Sequence, residues 1–216
     1  MDMGIGGRAD RTERLKELKP GAWGSSSADF AHLIRSLLEH SKAYAARIDG
    51  NCSPYSLCAI PMLLSSLRCL AVEYASYPPE DRSALDELDT PDDFGKLLTR
   101  YRVEDPVRSE ALLLQEVRNE IIHPVHRPTG TPDNCPEYLR PLKNKGLFHS
   151  TGQPDLDYIF PSQLQSHRLF DWACRVTRDI ATKILESEPR KIPALGDFVD
   201  NYNSLVLEGP PPGPPC

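Results

Sequence analysis

The clearest helical pattern in this chain lies in residues 162–187, SQLQSHRLFDWACRVTRDIATKILES. Ser162 is followed three residues later by Gln165, which is the spacing of a capping box at a helix start. We therefore expect a long amphipathic helix that opens at Ser162, ends near Ser187 and packs against other helices through one apolar face. The residues of this face, at three- and four-residue intervals, are Leu169, Ala173, Val176, Ile180 and Ile184.

Two helices with the same periodicity are predicted near the N-terminus. The first follows Ser25–Ser27, where serine hydroxyls can cap free N–H groups, and it stops at Gly50. The second follows Ser53 and Pro54, a capping residue and a first-turn proline. Pro61 lies inside the second apolar pattern. Because proline lacks an N–H, it should either kink this helix or mark its true start.

The middle of the chain predicts shorter helices. A short helix is expected near 80–88, and another after Thr90-Pro91-Asp92-Asp93, where a cap, a proline and two acids all favour a helix start. A third is expected over about 107–123, and Pro124 ends it. These segments complete a set of helices long enough to bury a common core.

Residues 124–161 predict a long proline-rich loop before the last helix. Seven prolines exclude one long helix or a regular sheet there, although a short helix near 137–140 fits the pattern. The predicted fold class is all-α, an antiparallel bundle of four or five helices over residues 25–187 with this loop as an insertion. We expect residues 1–24 to form a loose leader and residues 188–216 a solvated, proline-rich tail.

The composition excludes several classes of protein. The 216 residues suggest one domain with tails, and a net charge of −6 argues against a protein that coats nucleic acid or anionic membrane without specificity. No apolar run approaches the roughly 18 residues of a membrane span, and the first residues lack the apolar stretch of a secretory signal. We therefore expect a cytoplasmic protein with no membrane partner, whose six cysteines stay reduced.

The segment with the most distinctive chemistry is Arg118-Asn119-Glu120-Ile121-Ile122-His123, at the end of the helix predicted over 107–123. At about 100° per residue, Arg118, Asn119 and His123 fall away from the centre of the apolar arc of this helix. Arginine offers a fixed fork of donors that suits phosphate, and histidine exchanges protons near neutral pH. The apolar arc consists of Leu113, Leu114, Val117 and Ile121.

The Arg-x4-His spacing is a weak signal by itself. Arg35 and His40 share it, in the middle of a predicted helix and without asparagine after the arginine, and we interpret them as part of an ordinary charged face. Arg118 and His123 have an equally simple structural alternative, a surface arginine and a histidine that caps a helix end. Asn119 distinguishes the Arg118–His123 segment from the Arg35–His40 segment, in which Ser36 follows the arginine.

Residues 117–124, Val-Arg-Asn-Glu-Ile-Ile-His-Pro, resemble the signature of the HEPN superfamily. Its R-x4-6-H motif often has asparagine directly after arginine and lies at the end of a late helix in a small helical bundle. The resemblance implies a metal-independent endoribonuclease that needs no cofactor and works as a homodimer, with two motifs facing each other across a cleft. Arg118 would bind the scissile phosphate, His123 would act as general base or acid for attack by the RNA 2′-hydroxyl, and Asn119 would orient His123 or the phosphate.

The same resemblance implies two alternative roles. The first is a toxin or defence effector that acts on RNA and is restrained by an antitoxin or another regulatory protein. The second is a non-catalytic module for dimerisation or for binding a nucleotide or protein, because other HEPN domains lack activity and a fold does not determine a function.

Basic and aromatic residues near the motif extend the prediction to RNA contacts. Either Tyr138 or Phe148 is available to stack on a base. A metal site is the alternative for His123, His126 and Cys135, but their spacing is not that of a standard zinc module, and we predict none. The residues expected to guide an RNA backbone are His126, Arg127, Arg140, Lys143 and Lys145.

Overall fold

A computed structural model of the chain describes residues 26–48, 50–75, 94–123, 135–150 and 162–187. The predicted leader, the short helix near 80–88 and the C-terminal tail lie outside these ranges. Within them the backbone forms six α-helices and no strand, which confirms the all-α prediction for this part of the chain. None of these helices is both long and apolar enough to cross a membrane. The helices are α1 (Ser26–Ile48), α2 (Tyr55–Ala75), α3 (Phe94–Arg100), α4 (Val107–Ile122), α5 (Arg140–Asn144) and α6 (His167–Ser187).

The starts of the first two helices agree with the predicted caps. Helix α1 begins at Ser26, inside the serine run, and α2 begins at Tyr55, directly after Ser53 and Pro54. Pro61 lies inside α2 and does not mark its start. Apolar contacts on both sides of this proline hold α2 in place, since Ala59, Ile60 and Leu63 are all fully buried.

The predicted start of α6 is wrong by five residues. Ser162–Leu164 form a single 3-10 turn, with the N–H of Gln165 donating to the carbonyl of Ser162 at 2.9 Å, and α6 begins only at His167. Ser166 is the residue that caps α6, because its Oγ accepts a hydrogen bond from the N–H of Leu169 at 3.2 Å. The Ser166 hydroxyl also lies 3.0 Å from Oδ1 of Asn51, so a distant contact selects this cap over the local capping-box pattern.

The core forms where α2 packs against α1 and α6. A short turn joins α1 to α2, so these two helices are antiparallel. Helices α2 and α6 instead start side by side, since the N–H of Ser53 donates to the carbonyl of Gln165 at 2.9 Å and Ser56 Oγ to that of Leu164 at 2.6 Å. Helices α2 and α6 therefore run in the same direction from a shared end, which departs from the antiparallel bundle predicted. The largest fully buried side chains of these three helices are Ile34, Leu38, Ile60, Leu63, Leu67, Leu70 and Phe170.

The apolar side chains of residues 135–150 pack into the core, although these residues lie in the segment predicted as an insertion loop. A 3-10 turn at Glu137–Leu139 leads directly into α5, which agrees with the short helix expected near 137–140. Leu139, Leu142 and Phe148 are buried. Each apolar side chain of this size that leaves water stabilises the fold by about 1.5–3 kcal/mol, so this part of the segment is a structural element that covers the helices.

Candidate functional site

Helix α4 carries the motif, and its ends agree with the range predicted for it. At the start, Oδ1 of Asp105 accepts a hydrogen bond from the N–H of Ser109 at 3.1 Å, which satisfies one of the free donors of the first turn. The helix ends at Ile122, and the N–H of His123 donates to the carbonyl of Asn119 at 2.8 Å. His123 is therefore the residue at which the chain leaves the helix.

A stripe of buried residues anchors α4 in the core. Ala111, Leu114, Val117 and Glu120 recur at intervals of three, and they are the buried residues of this helix. The predicted arc is confirmed at Leu114 and Val117, which are fully buried, whereas its other two members are only half-buried. Because a row at intervals of three winds slowly around a helix, it indicates that the neighbouring helices cross α4 at an angle.

The structure brings two of the three predicted catalytic residues together. Nη1 of Arg118 donates a hydrogen bond to Oδ1 of Asn119 at 3.1 Å, and both side chains are half-buried. His123 is exposed, and within the described residues its side chain forms no hydrogen bond with either of them. Asn119 therefore orients the guanidinium of Arg118, while the imidazole is left facing solvent.

Glu120 is a buried residue of the motif that the sequence pattern alone did not predict. Its side chain is only 4% exposed, and the Tyr138 hydroxyl donates a hydrogen bond to its Oε1. A signal was present in the sequence, because Glu120 follows Val117 by three residues and falls at the edge of the apolar arc. The contact ties residues 135–150 to the motif helix, and it gives Tyr138 a structural partner.

The basic residues predicted to guide RNA are already partnered in part. Nε of Arg140 lies 2.7 Å from Oε2 of Glu137, and Nζ of Lys145 lies 3.2 Å from Oε1 of Glu110 on α4. Both pairs are substantially exposed, so each is worth about 0–1 kcal/mol and a phosphate can compete for the cation. Lys143 is half-buried, and His126 and Arg127 lie outside the described residues.

The structure bears on two further predictions near the motif, base stacking and the metal alternative. Phe148 is buried and so is not available to stack on a base, whereas Tyr138 is 46% exposed. Among the described residues no group of three or more His, Cys, Asp or Glu side chains is placed to hold a metal ion. The alternative of a metal site formed by His123, His126 and Cys135 includes one residue, His126, that lies outside the described residues.

The other Arg-x4-His copy has contacts of a different kind. Nε of Arg35 lies 3.4 Å from Oε1 of Glu39, one turn later on α1. The ring of His40 stacks on Tyr55 with centroids 6.2 Å apart. Both residues of this copy are therefore engaged in packing or ion pairing, as an ordinary charged face would be.

Three comparisons with known proteins add no relative to these observations. The case for a function therefore rests on the residues of α4 and their contacts. No protein-family model, no curated protein and no solved structure matches this chain.

Proposed function

We propose that the chain is a HEPN-like, metal-independent endoribonuclease whose site is formed by Arg118, Asn119 and His123. Arg118 binds the scissile phosphate and stabilises the charge that develops on it, and His123 acts as general base or acid. The 2′-oxygen loses its proton and bonds to phosphorus, the bond from phosphorus to the 5′-oxygen breaks, and the departing 5′-oxygen gains a proton. The observation that carries the proposal is the hydrogen bond from Arg118 Nη1 to Asn119 Oδ1 at 3.1 Å, on a helix anchored in the core, with an exposed histidine one turn later.

The hydrogen bond to Asn119 supports a role in phosphate binding. A guanidinium has five N–H donors, and the bond to Asn119 uses one of them. The amide limits the rotation of the guanidinium, so less freedom is lost when the remaining donors bind a phosphate. Stabilisation of developing charge by donors that are already oriented is a large contribution to catalysis of phosphoryl transfer.

The separation of Arg118 from His123 supports a site shared between two copies of the chain. The two residues are five positions apart, which corresponds to roughly 7.5 Å along the helix and about 140° around it. Side chains that diverge by this angle do not meet readily on one phosphorus atom within one copy. A homodimer, in which the two α4 helices face each other, would supply the arginine and the histidine from both sides of a cleft.

Exposed apolar residues on α4 support the same dimer. Leu112 is 41% exposed and Ile122 is 42% exposed. At about 100° per residue, they lie on either side of Asn119 around the helix, within an arc of roughly 80°. The face that carries Asn119 therefore also carries apolar surface that a second copy can bury. This observation equally favours the second candidate, a non-catalytic HEPN-like dimerisation module.

An RNA cleavage assay in EDTA tests the enzyme, with Arg35 and His40, which have the same spacing on α1, as the matched control. We expect the purified protein to cleave RNA and leave 2′,3′-cyclic phosphate ends. Arg118→Ala and His123→Ala should each abolish cleavage, whereas Arg35→Ala and His40→Ala should retain it. Cleavage that survives Arg118→Ala and His123→Ala, or an inactive wild-type protein, contradicts the proposal.

Sedimentation of the same samples separates the two candidates. Leu112→Asp and Ile122→Asp should convert a dimer to a monomer and abolish cleavage together if the site is shared between copies. A wild-type dimer that these substitutions dissociate, but that never cleaves RNA, indicates the non-catalytic module.

A further inference from the structure

Helix α6 presents three N–H donors that have no hydrogen-bond partner within the described residues. They are Nε of Arg168, Nε1 of Trp172 and Nε of Arg175, and all three atoms are buried. The side chains follow each other at intervals of four and three, so they fall within an arc of roughly 60° and extend about 10 Å along the helix. A buried donor that lacks an acceptor is unfavourable, and three on one helix face call for an explanation.

The charges on this face are not balanced. Nη2 of Arg175 lies 3.0 Å from Oδ2 of Asp171. The guanidinium of Arg168 has no acid partner in the described part of the chain, and its Nη1 lies beside the backbone of Gly146, 3.8 Å from where a Cβ would stand. Two arginines and one aspartate leave one net positive charge here. Arg178 differs, because its Nε and Nη2 both bind Oδ1 of Asp179, at 2.9 and 2.8 Å.

The donors define the chemistry of what they can bind. Guanidinium and indole N–H groups donate but do not accept, so the ligand must supply acceptors only. A carboxylate offers two oxygens in one plane, whereas a phosphoryl group offers three oxygens in different directions and carries more negative charge. Arg168 and Arg175 are half-buried, so parts of their side chains contact solvent although the Nε atoms are covered, while Trp172 is 5% exposed and its buried Nε1 is shielded from competing water.

We infer that α6 carries a phosphate-binding site formed by Arg168, Trp172 and Arg175. Its ligand is a phosphoryl group, either free or part of a nucleotide or RNA backbone. The site lies on a different helix from Arg118 and His123 and does not depend on RNA cleavage. The failure of either proposal therefore leaves the other in place.

Tryptophan fluorescence of the full chain tests the site directly. The chain has two tryptophans, so Trp23→Phe leaves Trp172 as its one indole. Sodium phosphate should change the emission of Trp172 in a saturable way and raise the melting temperature, and sodium chloride at equal ionic strength should do neither. Arg168→Gln and Arg175→Gln should each weaken phosphate binding by about tenfold or more. No saturable response to phosphate would overturn the inference.

Matched variants distinguish the site from a general effect of charge. Arg178→Gln removes the same charge from the same helix and should leave phosphate binding unchanged. An equal loss in Arg178→Gln and Arg168→Gln contradicts the site. Trp172→Phe, followed by melting temperature alone, should weaken binding because it removes one donor, and unchanged binding excludes the indole from the site.

Two further ligands identify the source of the phosphoryl group. Adenosine monophosphate and a short single-stranded RNA are titrated into an Arg118→Ala background, so that binding at α4 does not contribute. Tighter binding of either than of inorganic phosphate, lost in Arg168→Gln, assigns the site to nucleotides or RNA. Equal binding assigns it to phosphate itself.

Discussion

The Arg-x4-His spacing occurs twice in the described part of this chain, and its two copies have different surroundings. On α1, Arg35 pairs with Glu39 and His40 stacks on Tyr55. On α4, Arg118 donates a hydrogen bond to its neighbour Asn119, whereas His123 follows the last residue of the helix and is exposed. A spacing therefore indicates which side chains share a region of a helix, but the contacts around them decide whether they are available to a ligand.

The largest effect should come from Leu114, which anchors in the core the helix that carries Arg118 and His123. Leu114 is fully buried one turn before Arg118, whereas Leu33 on α1 is 49% exposed. Leu114→Ala should lower the free energy of unfolding by about 2–5 kcal/mol, because it removes buried apolar surface and leaves a cavity. Leu33→Ala should change it by no more than about 0.5 kcal/mol. Chemical denaturation measures both, and equal effects would show that α4 is not anchored through this stripe.

A smaller effect should come from Asn119, the residue that distinguishes the Arg118–His123 segment from the Arg35–His40 segment. Asn119→Ala removes the acceptor that orients Arg118, and it should reduce RNA cleavage about tenfold to a hundredfold, the equivalent of one hydrogen bond to a charged group. Ser36 holds the corresponding position after Arg35, and Ser36→Ala should leave cleavage unchanged. This prediction rests on the proposed activity. An Asn119→Ala protein with the wild-type rate would show that the amide does not position Arg118.

His167, which belongs to neither Arg-x4-His segment, should make the free energy of unfolding depend on pH. Burial lowers the pKa of His167 below its ordinary value of 6.5; the carboxylate of Asp171 opposes this shift and the ammonium of Lys42 on α1 adds to it. Nδ1 of His167 lies 2.9 Å from Ser41 Oγ, which lies 2.6 Å from Ser53 Oγ. In the tautomer of the neutral ring whose Nδ1 carries no proton, Nδ1 accepts from Ser41 and Ser41 accepts from Ser53. Protonation then makes Nδ1 a donor and reverses both hydrogen bonds, so the Ser53 hydroxyl needs a new acceptor.

The sign of the pH effect follows from the lowered pKa. The unfolded chain binds the proton of His167 at a higher pH than the folded chain does, so the free energy of unfolding is highest above about pH 6.5 and falls as the pH drops below it. Denaturation curves measured between about pH 8 and about pH 5, on either side of the ordinary histidine pKa, give the change in the free energy of unfolding. His167→Gln should reduce the slope, and an unaltered slope would assign the dependence to other groups.

Features with local causes could be predicted from the sequence. The starts of α1 and α2, the length of α4 and the burial of Leu114 and Val117 all depend on residues within a few turns of each other. Cap hydrogen bonds and apolar periodicity act over that distance, so the pattern of residues is sufficient. The same periodicity predicts that Arg118, Asn119 and His123 lie away from the centre of the apolar arc of α4, whereas their assignment as a candidate site rests on the resemblance of residues 117–124 to a family signature.

The remaining features depend on residues far apart in the chain. Asn51 lies 115 positions from Ser166, yet its side chain helps to select Ser166 over Ser162 as the cap of α6. Glu120 is buried because Tyr138 supplies a hydrogen-bond donor that no helical pattern reveals.

The sequence by itself therefore determined the all-α class of the described part of the chain and the position of the motif at the end of a helix. Only the tertiary structure decided which helices share an end, and that Asn119 bonds to Arg118 while His123 stays exposed. It also decided that Arg168, Trp172 and Arg175 present buried donors that have no hydrogen-bond partner among the described residues. The physical reason is that a hydrogen bond or buried contact between distant segments forms only after the chain has folded, so its partners cannot be read from neighbouring residues.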